Sequence, residues 1–181
     1  MHFLKSDVDR ILQNCKRKFK MNFYFANKKH IKNILPKLFE ILYSNMSIIS
    51  PTNNTFEEDF NIWLSYIVPA LEDDNRHIVL MNIDNSIVGY FQYSINSNSF
   101  LMEEIQIKKE FQGIGLFSNL YTWLVQKLPQ NILAVEAYVN KHNFKSQSIL
   151  EKLGLVNSGE NTNGSSFYYK GKYIDILNKY S

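Results

Sequence analysis

The sequence predicts an α/β (α+β) fold, a single domain of about seven strands and about four helices. Three observations lead there. Helix-period segments occupy the first part of the chain, and from His77 the apolar pattern changes to three short β-like runs. A turn holding Gly113 and Gly115 joins the last of those runs to an amphipathic segment. Beyond it, one strand, one helix and two strands complete the order β-α-α-β-β-β-α-β-α-β-β.

Each element has a local cause. Residues 1–20 read as an N-terminal helical extension, because Phe3, Leu4, Val8, Ile11, Leu12, Cys15 and Phe19 line one face of a basic helix. The domain proper spans residues 21–181 and opens on a strand, Met21 to Ala26. Asn27 suits an N-cap for a helical region reaching Asn45, which Pro36 should kink or break. Ser47 to Thr55, with Pro51 and several Asn, reads as a loop. Phe56, Phe60, Trp63, Leu64, Ile67 and Leu71 then describe a second helix.

Three runs follow: His77 to Ile83, Ser86 to Ile95 and Ser99 to Ile107. Asp84-Asn85 and Asn96-Ser97-Asn98 separate them and suit tight hairpin turns, so an antiparallel meander is expected. Phe117, Leu120, Tyr121, Leu124, Val125 and Leu128 form the buried face of the next helix. A strand from Ile132 to Val139 follows. Asn143 then caps a helix ending at Gly154, and Leu155 to Ser158 and Ser166 to Tyr173 flank an Asn163-Gly164 turn.

Composition narrows the function classes. The chain has 181 residues, 45% hydrophobic and 14% aromatic, which fits one globular domain with a substantial core. A formal charge of +3 is too small to require nucleic acid, although Lys16, Arg17, Lys18 and Lys20, then Lys28, Lys29 and Lys32, are clustered. Cys15 is the sole cysteine and cannot form an internal disulfide. His2, His30, His77 and His142 lack ligand spacing, so no metal is expected. No signal-like or membrane-spanning run is present, and the expected compartment is cytoplasmic.

The glycine turn carries the functional signal. Strand, turn and helix follow one another, so the turn leads to a helix N-terminus, whose unpaired N–H groups and macrodipole favour an anion such as a pyrophosphate. Gln112, Gly113, Ile114, Gly115, Leu116, Phe117 and Ser118 are the residues concerned. Neither Gly-x-Gly-x-x-Gly nor a P-loop is present. What remains is a Q-x-x-G-x pattern.

Two stretches carry a family likeness. Ile107 to Phe117, I-K-K-E-F-Q-G-I-G-L-F, resembles the acetyl-CoA signature of the GCN5-related N-acetyltransferase (GNAT) superfamily. Asn143 to Leu155, N-F-K-S-Q-S-I-L-E-K-L-G-L, is similar to that superfamily's later Asn-containing motif. The resemblance covers about residues 21–175. It implies a mixed, mostly antiparallel central sheet and an acetyl-CoA-dependent N-acetyltransferase that moves an acetyl group directly to a primary amine.

By that resemblance, the backbone of Ile105, Gln106 and Ile107 pairs with pantetheine, residues 112–118 hold the pyrophosphate, and Asn143 touches the pantetheine arm as well as capping its helix. Glu103 and Glu104 are the candidate catalytic carboxylates, able to take a proton from the amine. Strand alternation sends them to opposite faces, and the resemblance favours Glu103. The sequence departs from the family at two positions. Phe117 replaces a Gly or Ala, and Leu150 stands where many members carry the tyrosine that protonates the thiolate. Tyr138, His142, Tyr168 and Tyr169 are substitutes only by neighbourhood.

The acceptor, a small-molecule or peptide amine, is not specified. Glu57, Glu58, Asp59, Glu72, Asp73 and Asp74 leave a cationic acceptor such as a polyamine open, with ordinary exposed helix charge as the other explanation. A CoA-binding sensor without catalysis is the competing function. A homodimer is also open, since similar proteins often dimerise.

Overall fold

The computed structural model describes residues 20–181; the expected helix at Phe3–Phe19, with Cys15, Lys16, Arg17 and Lys18, lies outside the described residues. Among the described residues there are seven strands: β1 (Met21–Phe25), β2 (Arg76–Ile83), β3 (Ser86–Asn96), β4 (Ser99–Ile107), β5 (Ala134–Asn140), β6 (Val156–Glu160) and β7 (Ser166–Lys172). They form one sheet in the order β1-β2-β3-β4-β5-β7-β6. Every pairing is antiparallel except β4 with β5. The expected meander is β2-β3-β4. Its first turn holds Asp84 and Asn85 at φ 48° and 65°, as a two-residue hairpin requires.

Five α-helices are described: α1 (Leu35–Ile49), α2 (Phe56–Ala70), α3 (Leu116–Val125), α4 (Phe144–Lys152) and α5 (Tyr173–Tyr180). The helix α1 opens at Leu35 and not after Asn27, and Pro36 lies in its first turn, where no N–H is needed from that residue. The helix also continues past Asn45 to Ile49. A capping box between Thr55 and Glu58 starts α2. The periodicity of the sequence does not reveal α5. Tyr173, the expected end of a strand, is its first residue, and Tyr173 and Ile176 are buried while Leu177 and Tyr180 pack on the larger core.

Strand alternation divides the interior into two cores. Val79 and Met81 of β2 and Phe91 and Tyr93 of β3 join Leu116, Leu120, Tyr121 and Leu124 of α3 on one face, together with Ile176 of α5. Ile78, Leu80 and Tyr90 turn to the other face and meet Leu35, Leu38 and Ile41 of α1 and Ile67 of α2.

One irregularity organises the rest. β4 pairs with β5 only over Ser99–Met102, opposite Ala134–Ala137. Past Met102 the two strands no longer pair, and a cavity lies between them.

Candidate active site

The outer half of β4 has an open edge. Lys108 N–H donates to the Val88 carbonyl on β3, and antiparallel bonds recur at every second residue. Glu104 and Gln106 therefore turn their backbone groups to β3. Ile105 and Ile107 turn theirs to the side where β5 has departed. The Ile107 carbonyl is met there by two side chains, Gln112 Nε2 at 2.8 Å and Asn45 Nδ2 at 3.1 Å. The side chains of Ile105 and Ile107 pack against the larger core.

The cavity at this edge measures about 280 Å³ and passes through the plane of the sheet. Phe117 and Tyr121 of α3 and Ser146, Ile149 and Leu150 of α4 line one side, while Leu42 and Met46 of α1 line the other. Glu103, Glu104, Ile105, Gln106 and Asn143 also line it. The remaining candidates lie along the turn that leads into α3. Gly113 and Gly115 have φ values of 81° and 82°, a left-handed conformation that excludes most side chains. No side chain among the described residues caps α3, so the donors of its first turn are left for an external anion.

Gln112 departs from its expected role. Its backbone N–H is taken by the Lys109 carbonyl, so it cannot offer that group to a phosphate. Its side chain instead ties the turn to Ile107 and accepts from Lys145 Nζ at 2.5 Å. Lys145 brings a cation from α4 to the glycine turn, which the sequence reading missed. Asn143 caps α4 by accepting from the Ser146 N–H at 3.1 Å and lines the cavity as well. Phe117 fills space at the helix start, its ring 4.6 Å from that of Tyr121.

The two carboxylates do not point to opposite faces. Gln92 pairs with Glu104 and Tyr93 with Met102, which leaves Glu103 as the extra residue of a β-bulge. Glu103 accepts from Gln92 Nε2 at 2.7 Å and Glu104 from Tyr90 Oη at 2.7 Å. Both thus lie on the face of Tyr90 and Gln92, toward α1. The slip is legible in the strand itself: Phe100 and Met102 occupy even positions, Ile105 and Ile107 odd ones, yet all four belong to the same core.

Their surroundings separate the pair electrostatically. Glu103 meets Arg76 through Nε–Oε2 at 2.7 Å and Nη2–Oε1 at 2.8 Å. Burial acts to raise the Glu103 pKa, but hydrogen bonds from Arg76, Gln92 and Ser94 and the Arg76 charge outweigh it and hold it below its usual value. Among the described residues, Glu104 has no cation as a hydrogen-bond partner. Burial raises its pKa, against hydrogen bonds from Tyr90 and Gln106, and the charge of Glu103 adds to the rise. A carboxyl of raised pKa without a counter-charge is suited to accept a proton, whereas an ion-paired one is not.

A chain of amides orients Glu104. Asn45 Nδ2 donates to Gln106 Oε1 at 2.9 Å, and Gln106 Nε2 donates to Glu104 Oε1 at 3.2 Å. The contact from α1 fixes which end of the Gln106 amide faces the carboxylate. Arg76, Tyr90, Gln92 and Asn45 were not among the candidate site residues of the sequence, because each comes to this cluster from another element of the fold.

Leu150, at the position where a tyrosine was expected, lines the cavity as an apolar wall. Of the substitutes considered, Tyr138 lines it and is half exposed, whereas Tyr169 is buried and donates to Glu151. Tyr121 also lines the cavity, but its hydroxyl is turned onto Met102 Sδ and burial pushes its pKa up. Of the six acidic residues considered for an acceptor site, Glu58 serves the capping box, Asp74 pairs with Lys28 at 2.9 Å, and Asp59 lines a second cavity. Among the described residues there is no group of three or more His, Cys, Asp or Glu able to hold a metal. No helix among them is long and apolar enough to cross a membrane.

Comparison with known proteins agrees with this geometry. Residues 35–155 match the family described as "Acetyltransferase (GNAT) family". No curated protein sequence matches. Among solved structures, an acetyltransferase from Thermus thermophilus has TM-score 0.67 at 18% identity, covering 84% of this chain and 96% of its own. The PaiA N-acetyltransferase of Thermoplasma acidophilum in complex with coenzyme A has TM-score 0.64 at 18% identity, with coverages of 85% and 99%. A mutant of the spermidine N-acetyltransferase SpeG of Vibrio cholerae has TM-score 0.61 at 17% identity, with coverages of 90% and 99%. Fold, open strand edge and family match coincide: this chain belongs to the GNAT acetyltransferase family.

Proposed function

We propose that the protein transfers an acetyl group from acetyl-CoA to a primary amine by direct attack, with Glu104 as the proton acceptor. One observation carries this reading. A carboxyl of raised pKa, with only neutral hydrogen-bond donors among the described residues, stands on the strand whose outer edge has lost its neighbour.

The residues fit the donor. A pantetheine arm has the outward-turned backbone groups of Ile105 and the Ile107 N–H to bond with, beside Asn143. A pyrophosphate has the uncapped start of α3, at Gly113 to Ser118, with Lys145 as counter-charge. Gln112 and Asn45 hold the Ile107 carbonyl and keep that edge in place.

The donor then occupies the α3 and α4 side of the cavity, and the amine arrives from the α1 side, where Glu104 lies. Glu104 accepts a proton from the ammonium, directly or through water, and the neutral amine attacks the thioester carbon. Backbone N–H groups of the β4 edge stabilise the charge that grows on the thioester oxygen. The C–S bond breaks, CoA leaves as a thiolate, and the nitrogen gives up its second proton to that thiolate or to water as the amide forms. With thiol pKa values near about 8.5, that leaving group needs only modest protonation, from Tyr138 or water. Glu103 keeps Arg76 in place and takes no proton. A cytoplasmic setting fits a co-substrate of this kind.

The test combines calorimetry with turnover. Acetyl-CoA should bind one per chain, and an amine panel should release CoA thiol above the amine-free background. Binding without amine-dependent release would indicate a CoA sensor. Absence of heat at millimolar acetyl-CoA would refute both readings.

A further inference from the structure

A second cavity, of about 470 Å³, lies between α1 and α2 and shares Leu42 and Met46 with the first. Its wall is aromatic: Phe39, Tyr43, Trp63 and Tyr66 face it. Tyr66 is 73% exposed and Ile62 49%, an unusual display of large apolar side chains on one helix. Among the described residues, Asp59 is the only charged one lining it, and no Lys, Arg or His lines either cavity.

Asp59 is held in a set position. It caps no helix; Oδ2 accepts from Thr52 Oγ1 at 2.6 Å and Oδ1 from Asn54 Nδ2 at 2.8 Å. Each carboxylate oxygen keeps a further lone pair. Aromatic faces around a fixed carboxylate form a site for a cation, through ion pairing and ring quadrupoles together. The thioether and isobutyl groups of Met46 and Leu42 between the two cavities suit methylenes.

We propose that this cavity takes the distal ammonium of a dicationic acceptor, so that the substrates are amines carrying a second positive charge across an apolar spacer. The proposal rests on the acetyl-transfer reading above and names the class of acceptor. The reactive amine lies at Glu104, the spacer passes Leu42 and Met46, and the second charge lies among Trp63, Tyr66 and Asp59. An acceptor with a carboxylate or phosphate at that end meets only negative charge and is excluded.

The experiment uses direct binding as well as turnover. The chain has two tryptophans, so Trp123→Phe leaves Trp63 as the reporter. α,ω-Diamines of four to eight carbons should perturb its emission at concentrations about tenfold below those needed for n-alkylamines of equal length. ω-Amino acids should have no effect. The same order should hold in kcat/KM, and Asp59→Asn should bring the diamine-to-monoamine ratio to about 1. Tyr66→Ala, at an exposed position that folding does not need, should also reduce the ratio.

Equal response to alkylamines, response to ω-amino acids, or an unchanged ratio in Asp59→Asn would overturn the proposal. So would a dimer, seen by sedimentation, that buries Tyr66. Failure of acetyl transfer is a separate outcome, read by thiol release. Asp59-dependent diamine binding without turnover would leave the cavity assignment standing while the transfer reading falls.

Discussion

Replacing each of the two adjacent carboxylates by its amide should produce opposite effects. Glu104→Gln keeps the side-chain shape and an acceptor for Tyr90, and removes only the basicity. A positioned general base contributes about 10²–10⁴ in rate, so kcat at saturating acetyl-CoA should fall by that factor. Stability should not fall. Because the folded pKa of Glu104 lies above its ordinary 4.5, folding favours its protonated form. Its contribution is fully present below 4.5 and is lost as pH rises through the folded value, so at pH 7 the amide is neutral or stabilising.

Glu103→Gln should do the reverse. Arg76 and Glu103 expose only 25% and 13% of their side chains, so the guanidinium would be left partly buried beside a neutral group. Discounted for that exposure, the loss is about 2–3 kcal/mol, or about 4–12 °C in Tm for a domain of this size. The folded pKa of Glu103 lies below 4.5. Its contribution is present above 4.5 and disappears as pH falls through the lowered value. Thiol-release kinetics and thermal melts at pH 7 read both quantities. A Glu104→Gln enzyme within threefold of the parent, or a Glu103→Gln enzyme that is slow yet equally stable, would refute the assignment.

Three further outcomes follow from the same contacts. Tyr90→Phe removes a donor that lowers the Glu104 pKa, so the acid limb of the kcat–pH profile should move upward by up to about one unit; an unmoved limb would show that Glu104 is not the titrating base. Gly89→Ala places a Cβ 2.5 Å from the Gln106 carbonyl oxygen and 3.2 Å from Ile107 Cα. It should cost about 1–3 kcal/mol and weaken acetyl-CoA binding measured by calorimetry, and unchanged affinity in a folded variant would count against β4 as the donor edge. Tyr138→Phe should lower kcat by less than about tenfold, because a thiolate is a tolerable leaving group; a loss beyond about a hundredfold would make Tyr138 the principal acid.

Much of the architecture was legible from local rules. The meander, the glycine turn and the Asn143 cap depend on residues within one turn or one strand of each other. The fifth helix escapes those rules because Tyr173 ends an alternating run and also begins a helical one, and its stability comes from packing, with Tyr180 5.4 Å from Tyr121. The bulge at Glu103 is signalled by the parity change between Met102 and Ile105. Strict alternation passes over that change and sends the two carboxylates to opposite faces.

The sequence by itself determined the position of β4, the glycine turn after it and the two acidic residues at its centre, because short-range periodicity and turn chemistry encode them, while the family likeness lay in two motifs. Tertiary structure decided which carboxylate is paired with a cation and which is not. Arg76, Tyr90, Gln92 and Asn45 come from three other elements of the fold to two residues that are adjacent in the chain. One receives a guanidinium and the other only neutral donors, and proton affinity follows from those neighbours and from burial, which no local pattern records.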